Sequence, residues 1–592
     1  MRPVRDAPRL VERVSDSSPR SGGAQFQEFA PGPNPAPWVP PCQVTSAVLE
    51  AISAQARVDS RSARRPEAPP SRGEPARSSW WSLRTLASPE LAWSIVAVGV
   101  VLRVAQYLSD RSLWLDESFL ALNLLARPYS RLLDTLDFNQ GAPPAFLLAE
   151  KLAVDALGSS EEALRLVPLI AGIVSLPLYL CVARRVLAPA AAAGALLLFA
   201  SLNGLVYYAA ELKQYSLDVA VALLLLAVAL AVESRPLTVR RALALGGVGA
   251  AAVWVSHPAV FMLAGIGTTL LVWALVQRNR RRLGLLALAA GAWLASFAAV
   301  YVVTLRELAV KDSFGGAGSE FYLPLPPTSG DEVLRLGREL SPFLTGDLGL
   351  QLPVPLAVLA ALLGFAGGIS LARRSPQRFF LLVAPVGFAA VASALEQYPW
   401  GGRFVLFLLP LVPLALLEGA RVLAESRLRA GPVLAAVLLG VVAAPSLGSA
   451  AYHLVSPRTV EETEPAVRSL GRRFSRGDAL YLNHYAQYAF RYYAQHRGAA
   501  GRPPPFPVVP APGGPEGNAP ALRSSPPALI VGSESPTRGE VPRRRRVWIL
   551  LSHLGPEERD LLARLDGMGR LLRAETHPGV VLSLYDLRTS SR

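Results

Sequence analysis

The sequence predicts a mainly α-helical, polytopic transmembrane bundle of about eleven spans, with interfacial helices and a small C-terminal α/β domain. Three observations predict it. Over 592 residues the composition is 51% hydrophobic and the mean hydropathy is +0.33, too apolar for a soluble chain of this length. Apolar runs of roughly 18 to 22 residues recur between residues 90 and 452, each long enough to cross ~30 Å of hydrocarbon as a helix. The net charge of +15, on a chain only 17% charged, collects in the short links between those runs.

The expected spans are 90–108, 164–182, 187–207, 216–233, 241–256, 258–277, 283–304, 351–371, 379–396, 403–421 and 432–452. Their links sort by charge. Arg184 and Arg185, then Arg235, Arg240 and Arg241, then Arg278, Arg280, Arg281 and Arg282, then Arg373, Arg374 and Arg378, then Arg427 and Arg429 mark five basic turns. Positive residues stay inside, so these turns are expected to be cytoplasmic, in a bacterial inner membrane, with the alternate links outside. Residues 143–157 are short for a span and carry Glu150, Lys151 and Asp155, so they are expected to lie flat at the outer interface. Glu117 to Leu136 and Glu332 to Leu340 are amphipathic and suited to the membrane surface.

Residues 1–88 are rich in Pro, Arg, Ser and Ala and are expected to form a disordered cytoplasmic tail. Residues 89–452 form the transmembrane domain, and 453–592 an extracytoplasmic α/β domain. In that domain the pattern predicts helices at 462–474, 485–496 and 556–573, strands at 479–482, 529–531, 547–552 and 580–585, and a Pro/Gly-rich linker at 502–520. Cys42 and Cys181 have no paired spacing, which argues against a disulfide framework or a zinc site. No phosphate-binding glycine loop marks the C-terminal domain as catalytic.

Polar residues on the outer side carry the candidate chemistry. Asp116 and Glu117 follow the first span directly. They suit the first turn of a helix, whose free amides favour acids, and they equally suit a general base aimed at an acceptor hydroxyl. Tyr207, Tyr208, Glu211, Lys213, Gln214, Tyr215 and Asp218 follow the third span. They fit an interfacial belt or a polar site; if helical, Glu211, Gln214 and Asp218 share one face while Lys213 stands apart to meet a phosphate. The chain has three lysines, Lys151, Lys213 and Lys311, all on the expected outer side. Arg403 at an outer helix start runs against the positive-inside trend and is a candidate for a lipid phosphate or a snorkelling anchor. Asn139, Gln140 and His257 sit in outer turns, and His257 is read first as a turn residue. Arg103, inside the first span, is expected to snorkel outward, with an internal ion pair as the other option.

Taken in order, LWLDESF, PPAFLLAEKLAVDALG, ALRLVPLIAGIVSLPLYLCVARRV, YYAAELKQYSLDV and YPWGGRFVLFLLP resemble the GT-C membrane glycosyltransferases, over residues 90–452. Among them the pattern is most similar to the protein O-mannosyltransferase, aminoarabinose transferase and RgtA/B/C/D-like branches. The resemblance implies a GT-C-like bundle and a dolichyl- or undecaprenyl-phosphate sugar donor bound from the outer side. It implies Asp116 as the base, with Glu117 as orienting neighbour or metal contact. It leaves a divalent cation, Mg or Mn, open. Glu211 and Lys213 would hold donor sugar or phosphate; Tyr215 and Arg403 are candidates for the same donor, and Asn139, Gln140, His257 and Asp218 are secondary candidates. Lys213 stands where Arg is commoner, so a point charge replaces a bidentate fork. The acceptor is expected to be a protein, lipid or polysaccharide hydroxyl, and no nucleic-acid partner is expected. A transporter or flippase of lipid-linked saccharides would need similar helices, but the polar groups gather on one side of the membrane and not at its midplane. An O-antigen polymerase or ligase would share the substrate type; the early Asp-Glu pair and the later Glu-x-Lys favour the transferase.

Overall fold

The computed structural model describes residues 88–306, 321–475, 477–495, 529–531 and 546–587. The tail up to residue 87, Cys42, Lys311 and the linker at 502–520 lie outside the described residues. The chain is an integral, multi-pass membrane protein. Among the described residues eight helices are long and apolar enough to cross a membrane, or ten when each of two bent pairs is one span. The expected span 241–256 is the 17-residue helix Val239–Val255. Eleven spans require it to cross as well, at the short end of the usual ~17 to 25 residues.

Helix starts follow local chemistry. The Ser88 hydroxyl accepts the Leu91 N–H before Pro89 opens the first span, and Thr238 and Asn279 cap the helices that begin at Val239 and Arg280. Two expected spans are broken. In the third, Pro189–Ser201 stops at Leu202, and the chain resumes through Asn203–Ala210 at 60°. The tenth starts as a 3-10 helix, Gly402–Leu408, and turns 52° into Leu411–Ala424 at Pro410, which has no N–H to continue the ladder.

The first break decides the place of Arg103, which does not snorkel. It is fully buried, and its guanidinium donates to Gly99 O at 3.0 Å and to Ala200 O at 3.2 Å. Ala200 lies in the last turn of the helix that stops at Ser201, where carbonyls have lost their intrahelical partners. Gly204, which would have met that carbonyl in an unbroken helix, donates instead to Leu348 O.

Three of the basic turns meet at one end of the bundle. Arg374 donates to Val186 O at 2.6 Å and pairs with Glu418 at 2.9 Å, and Arg378 donates to Arg185 O and pairs with Glu233 at 3.2 Å. Helices Val354–Arg374 and Leu411–Ala424 pack backbone to backbone: a Cβ on Gly419 would sit 1.9 Å from Leu363 O, and one on Gly367 2.2 Å from Ala415 O.

The C-terminal region forms a five-stranded sheet of order β2-β1-β3-β5-β4, with β1 Ala479–Leu482, β2 Leu529–Val531, β3 Val547–Ser552, β4 Arg570–His577 and β5 Val580–Asp586. Its first three neighbours run parallel and the last two antiparallel. The helix expected at 556–573 ends at Met568; the residues after it are β4. This strand was not expected because it is an edge strand with mostly exposed side chains, so no apolar alternation marks it.

The start of the stretch Glu117 to Leu136, expected on the membrane surface, is covered by protein. Its helix, Leu115–Ala126, ends before Arg127-Pro128 and is buried in one apolar cluster with Phe146, Leu470, Phe490 and Trp548. Phe119 meets Tyr488 edge-on at 4.5 Å. The C-terminal sheet and helices therefore pack directly on the loop that follows the first span. Helix Gly330–Leu340 has no buried residue, in keeping with an amphipathic surface segment.

Candidate active site

Asp116 and Glu117 open the helix Leu115–Ala126, and they divide the two readings of their pair between them. Glu117 is the capping acid: its Oε2 accepts the Trp114 N–H at 3.3 Å. It is fully buried, takes Arg165 Nε and Nη2 at 2.8 and 2.7 Å in a bidentate pair, and accepts the Leu212 N–H at 2.9 Å. Arg111 is 3.8 Å away. Burial works to raise its pKa, but the Arg165 and Arg111 charges and these hydrogen bonds outweigh it and hold the carboxyl below its ordinary 4.5.

Asp116 faces the other way, its side chain 17% exposed, and forms an ion pair with Arg403. The Arg403 guanidinium lies 5.2 Å from the Trp114 ring, 5.8 Å from Tyr215 and 5.7 Å from Phe404, an aromatic box for a cation. Gly402 before it has φ +48, a left-handed conformation that glycine adopts without cost, and this turn aims Arg403 at Asp116.

Residues 211–214 are not helical, and the helix starts at Tyr215. The expected shared face of Glu211, Gln214 and Asp218 therefore does not exist. Lys213 is buried, and its ammonium donates to Gln140 Oε1 at 2.6 Å. Burial lowers its pKa, against the opposing charges of Asp116 and Glu211. Glu211 is buried and pushed up to about 7, first by burial and then by the neighbouring Glu117 charge. Tyr215 packs edge-on to Tyr208 at 5.1 Å and Phe404 at 6.2 Å.

The remaining candidates sit one shell away. Asp218 is buried beside Ser256, and His257 follows in the turn, its imidazole pulled down to about 4 by burial and so neutral. Tyr398 links this group to the site, since its hydroxyl donates to Phe404 O at 2.8 Å. Asn139 holds the left-handed turn, φ +52, that presents Gln140.

No protein-family model and no curated protein matches this sequence. Solved structures align with this chain at low identity. ArnT from Cupriavidus metallidurans, in the apo state, aligns with a TM-score of 0.47 at 14% identity over 84% of this chain and 98% of that one. The same protein bound to undecaprenyl phosphate aligns with a TM-score of 0.47 at 14% identity over 85% and 99%. The archaeal oligosaccharyltransferase AglB from Archaeoglobus fulgidus, in complex with an inhibitory peptide and a dolichol-phosphate, aligns with a TM-score of 0.42 at 13% identity over 71% and 60%.

Sequence reasoning missed Arg165, Arg111 and the residues that the C-terminal domain sends to the Asp116 loop. Arg165 and Arg111 were within reach, because each is an Arg on the expected outer side, the same signal that singled out Arg403. The C-terminal contributors left no local signal. Tyr493 OH accepts the Leu113 N–H at 2.6 Å, Glu462 accepts the Ser112 N–H at 3.2 Å, and Glu461 accepts the Leu115 N–H at 3.2 Å. His553 Nδ1 meets Glu461 at 3.0 Å, which raises the imidazole pKa. Among the described residues no three His, Cys, Asp or Glu side chains gather as a metal set, and both Glu117 oxygens are committed to Arg165 and backbone amides. The Asp116-Glu117 pair does not fit a divalent cation.

Proposed function

We propose that the chain is a membrane glycosyltransferase that moves a sugar from a polyprenyl-phosphate donor to an acceptor hydroxyl on the outer face of a bacterial inner membrane. The observation that carries this reading is the Asp116–Arg403 pair, set in an aromatic box with Lys213 nearby. The ordered motifs that resemble GT-C enzymes support it. The five basic turns, three of which meet at one end of the bundle, support a cytoplasmic N-terminus and an extracytoplasmic C-terminal domain.

In the substrate-free chain Asp116 and Arg403 satisfy each other. A donor phosphate offers the planar Arg403 guanidinium two anionic oxygens of its own and so releases the Asp116 carboxylate. Asp116 then takes the proton of the acceptor hydroxyl as its oxygen bonds to the anomeric carbon. The bond from that carbon to the phosphate oxygen breaks, and Arg403 and Lys213 neutralise the departing polyprenyl phosphate. One displacement inverts the anomeric centre. Tyr215 and Glu211 border the sugar, with Gln140 orienting Lys213. A shallow apolar groove at Gly402, lined by Phe343, Leu348, Val405, Leu406 and Leu409, offers a surface along which an isoprenoid tail would lie.

The test is transfer of radiolabelled sugar from a panel of polyprenyl-phosphate donors in membranes holding wild type or Asp116→Asn at matched expression. Loss of transfer by roughly 10² to 10⁴-fold in Asp116→Asn is expected of a removed general base. Equal transfer in that variant would reject Asp116 as the base. A wild type that transfers from no donor would instead favour transport.

A further inference from the structure

The C-terminal domain reaches the Asp116 loop through a carboxylate and an imidazole that the proposed chemistry does not use. Glu461 is 3% exposed and forks: Oε2 accepts the N–H of Leu115, the residue before Asp116, and Oε1 meets His553 Nδ1. Capping Leu115 needs Glu461 alone. His553 adds nothing to that cap, yet it is held in a demanding geometry. It follows β3 with φ +54, a left-handed conformation that few non-glycine residues adopt. Its ring leans on Tyr485 at 5.0 Å between centroids. With Nδ1 engaged by Glu461, Nε2 lies on the opposite edge of a side chain that is 49% exposed. The Asp116 charge acts on this imidazole, so the two share one electrostatic neighbourhood. Held by Glu461 and Tyr485, His553 therefore presents a ring edge that no other described side chain claims, within the field of the Asp116 carboxylate.

We propose that His553 is an acceptor-binding residue supplied by the C-terminal domain: anchored on Glu461, it offers Nε2 to a polar group of the acceptor whose hydroxyl Asp116 deprotonates. The inference rests on the transferase reading above. In an inverting displacement the nucleophile approaches opposite the leaving phosphate. The phosphate cations, Arg403 and Lys213, come from loops of the helical bundle, whereas His553 comes from the soluble domain packed over the Asp116 loop. The acceptor is thus held between the two, and its identity is read by the C-terminal domain.

Two isosteric substitutions separate this role from a structural one. An Asn amide reaches the place of Nδ1 and keeps the Glu461 bond, and a Gln amide reaches the place of Nε2. In full-length protein in membranes, with the labelled donor panel, His553→Asn is expected to lower transfer to membrane acceptors at least tenfold. The share of donor lost to water rises in that variant. His553→Gln is expected to retain most transfer, and thermal stabilisation by added undecaprenyl phosphate is expected to be unchanged in both. The reverse order, with Asn normal and Gln impaired, or transfer and hydrolysis falling together, would show a structural latch and overturn the proposal. Wild-type transfer in all variants overturns it too. A wild type that moves no label from any donor overturns the transferase reading, and the inference with it.

Discussion

Neighbouring positions on a helix point about 100° apart, which is why two adjacent carboxylates have opposite environments at the start of Leu115–Ala126. Glu117 turns into the protein against Arg165, and Asp116 turns out toward Arg403. Removing one partner of a buried pair strands the other charge, so Arg165→Met is expected to lower stability by about 3 to 5 kcal/mol in chemical unfolding. The pH dependence follows from the direction of the shift. The folded Glu117 carboxyl lies below 4.5, so the unfolded chain binds more protons there; its stabilisation is present above 4.5 and is lost as pH falls through the folded value. Glu117→Gln is expected to abolish that part of the acid sensitivity. Glu211 has the opposite sign: raised from 4.5 to about 7, it binds a proton more readily when folded, so stability falls as pH rises from 4.5 to 7. Glu211→Gln is expected to raise stability at pH 8 and to flatten its fall between pH 5 and pH 8. Transfer is expected to fall in the same variant. Melting curves of wild type and variant at pH 5 and pH 8 check the first, and the transfer assay the second. Asp116 and Arg403 were legible as candidates from their positions at span ends. Their mutual pairing was not, because 287 residues separate them and no local pattern couples them.

At the scale of elements, length and hydropathy locate helices but say little of how they break. The span at 187–207 is apolar throughout, yet it stops at Leu202, because the chain beyond it trades its ladder for bonds to Leu348 O and Arg103. The break before Leu411 was more visible, since Pro410 announces it. Strand β4 was hidden for the converse reason: an exposed edge strand lacks the apolar alternation that reveals a buried one. The close crossing at Gly419 was hidden too, since glycine inside an apolar run does not name its neighbour. Gly419→Val is expected to push helices Leu411–Ala424 and Val354–Arg374 apart and cost at least the ~1 to 3 kcal/mol typical of overpacking, measured as a lowered melting temperature.

For the whole molecule, the positive-inside trend predicts the basic turns on one side of the membrane and the proposed chemistry on the other. With Cys42 and Cys181 replaced by Ser, a cysteine at Ser130 is expected to react with an impermeant thiol reagent added to intact cells. One at Gln277 is expected to react only after the membrane is opened. The reverse pattern would invert the topology and put Asp116 on the cytoplasmic side. The C-terminal domain is the larger surprise. Its elements were mostly legible, but not its docking on the loop that follows the first span, where Glu461, Glu462 and Tyr493 take the amides of Leu115, Ser112 and Leu113.

The amino-acid sequence by itself determined the membrane class and the approximate spans, and it predicted a sidedness from the Arg-rich turns and a set of polar loop residues with chemistry to offer. Each of these follows from local hydropathy or charge, which act over one helix length or one loop. Only the tertiary structure decided that Asp116 pairs with Arg403 while Glu117 is locked on Arg165, that Lys213 reaches Gln140 and not Glu211, and that the C-terminal domain holds the Asp116 loop. Those pairings join residues tens to hundreds of positions apart. They are chosen by which buried polar groups find partners once the helices pack, a condition that no stretch of sequence carries alone.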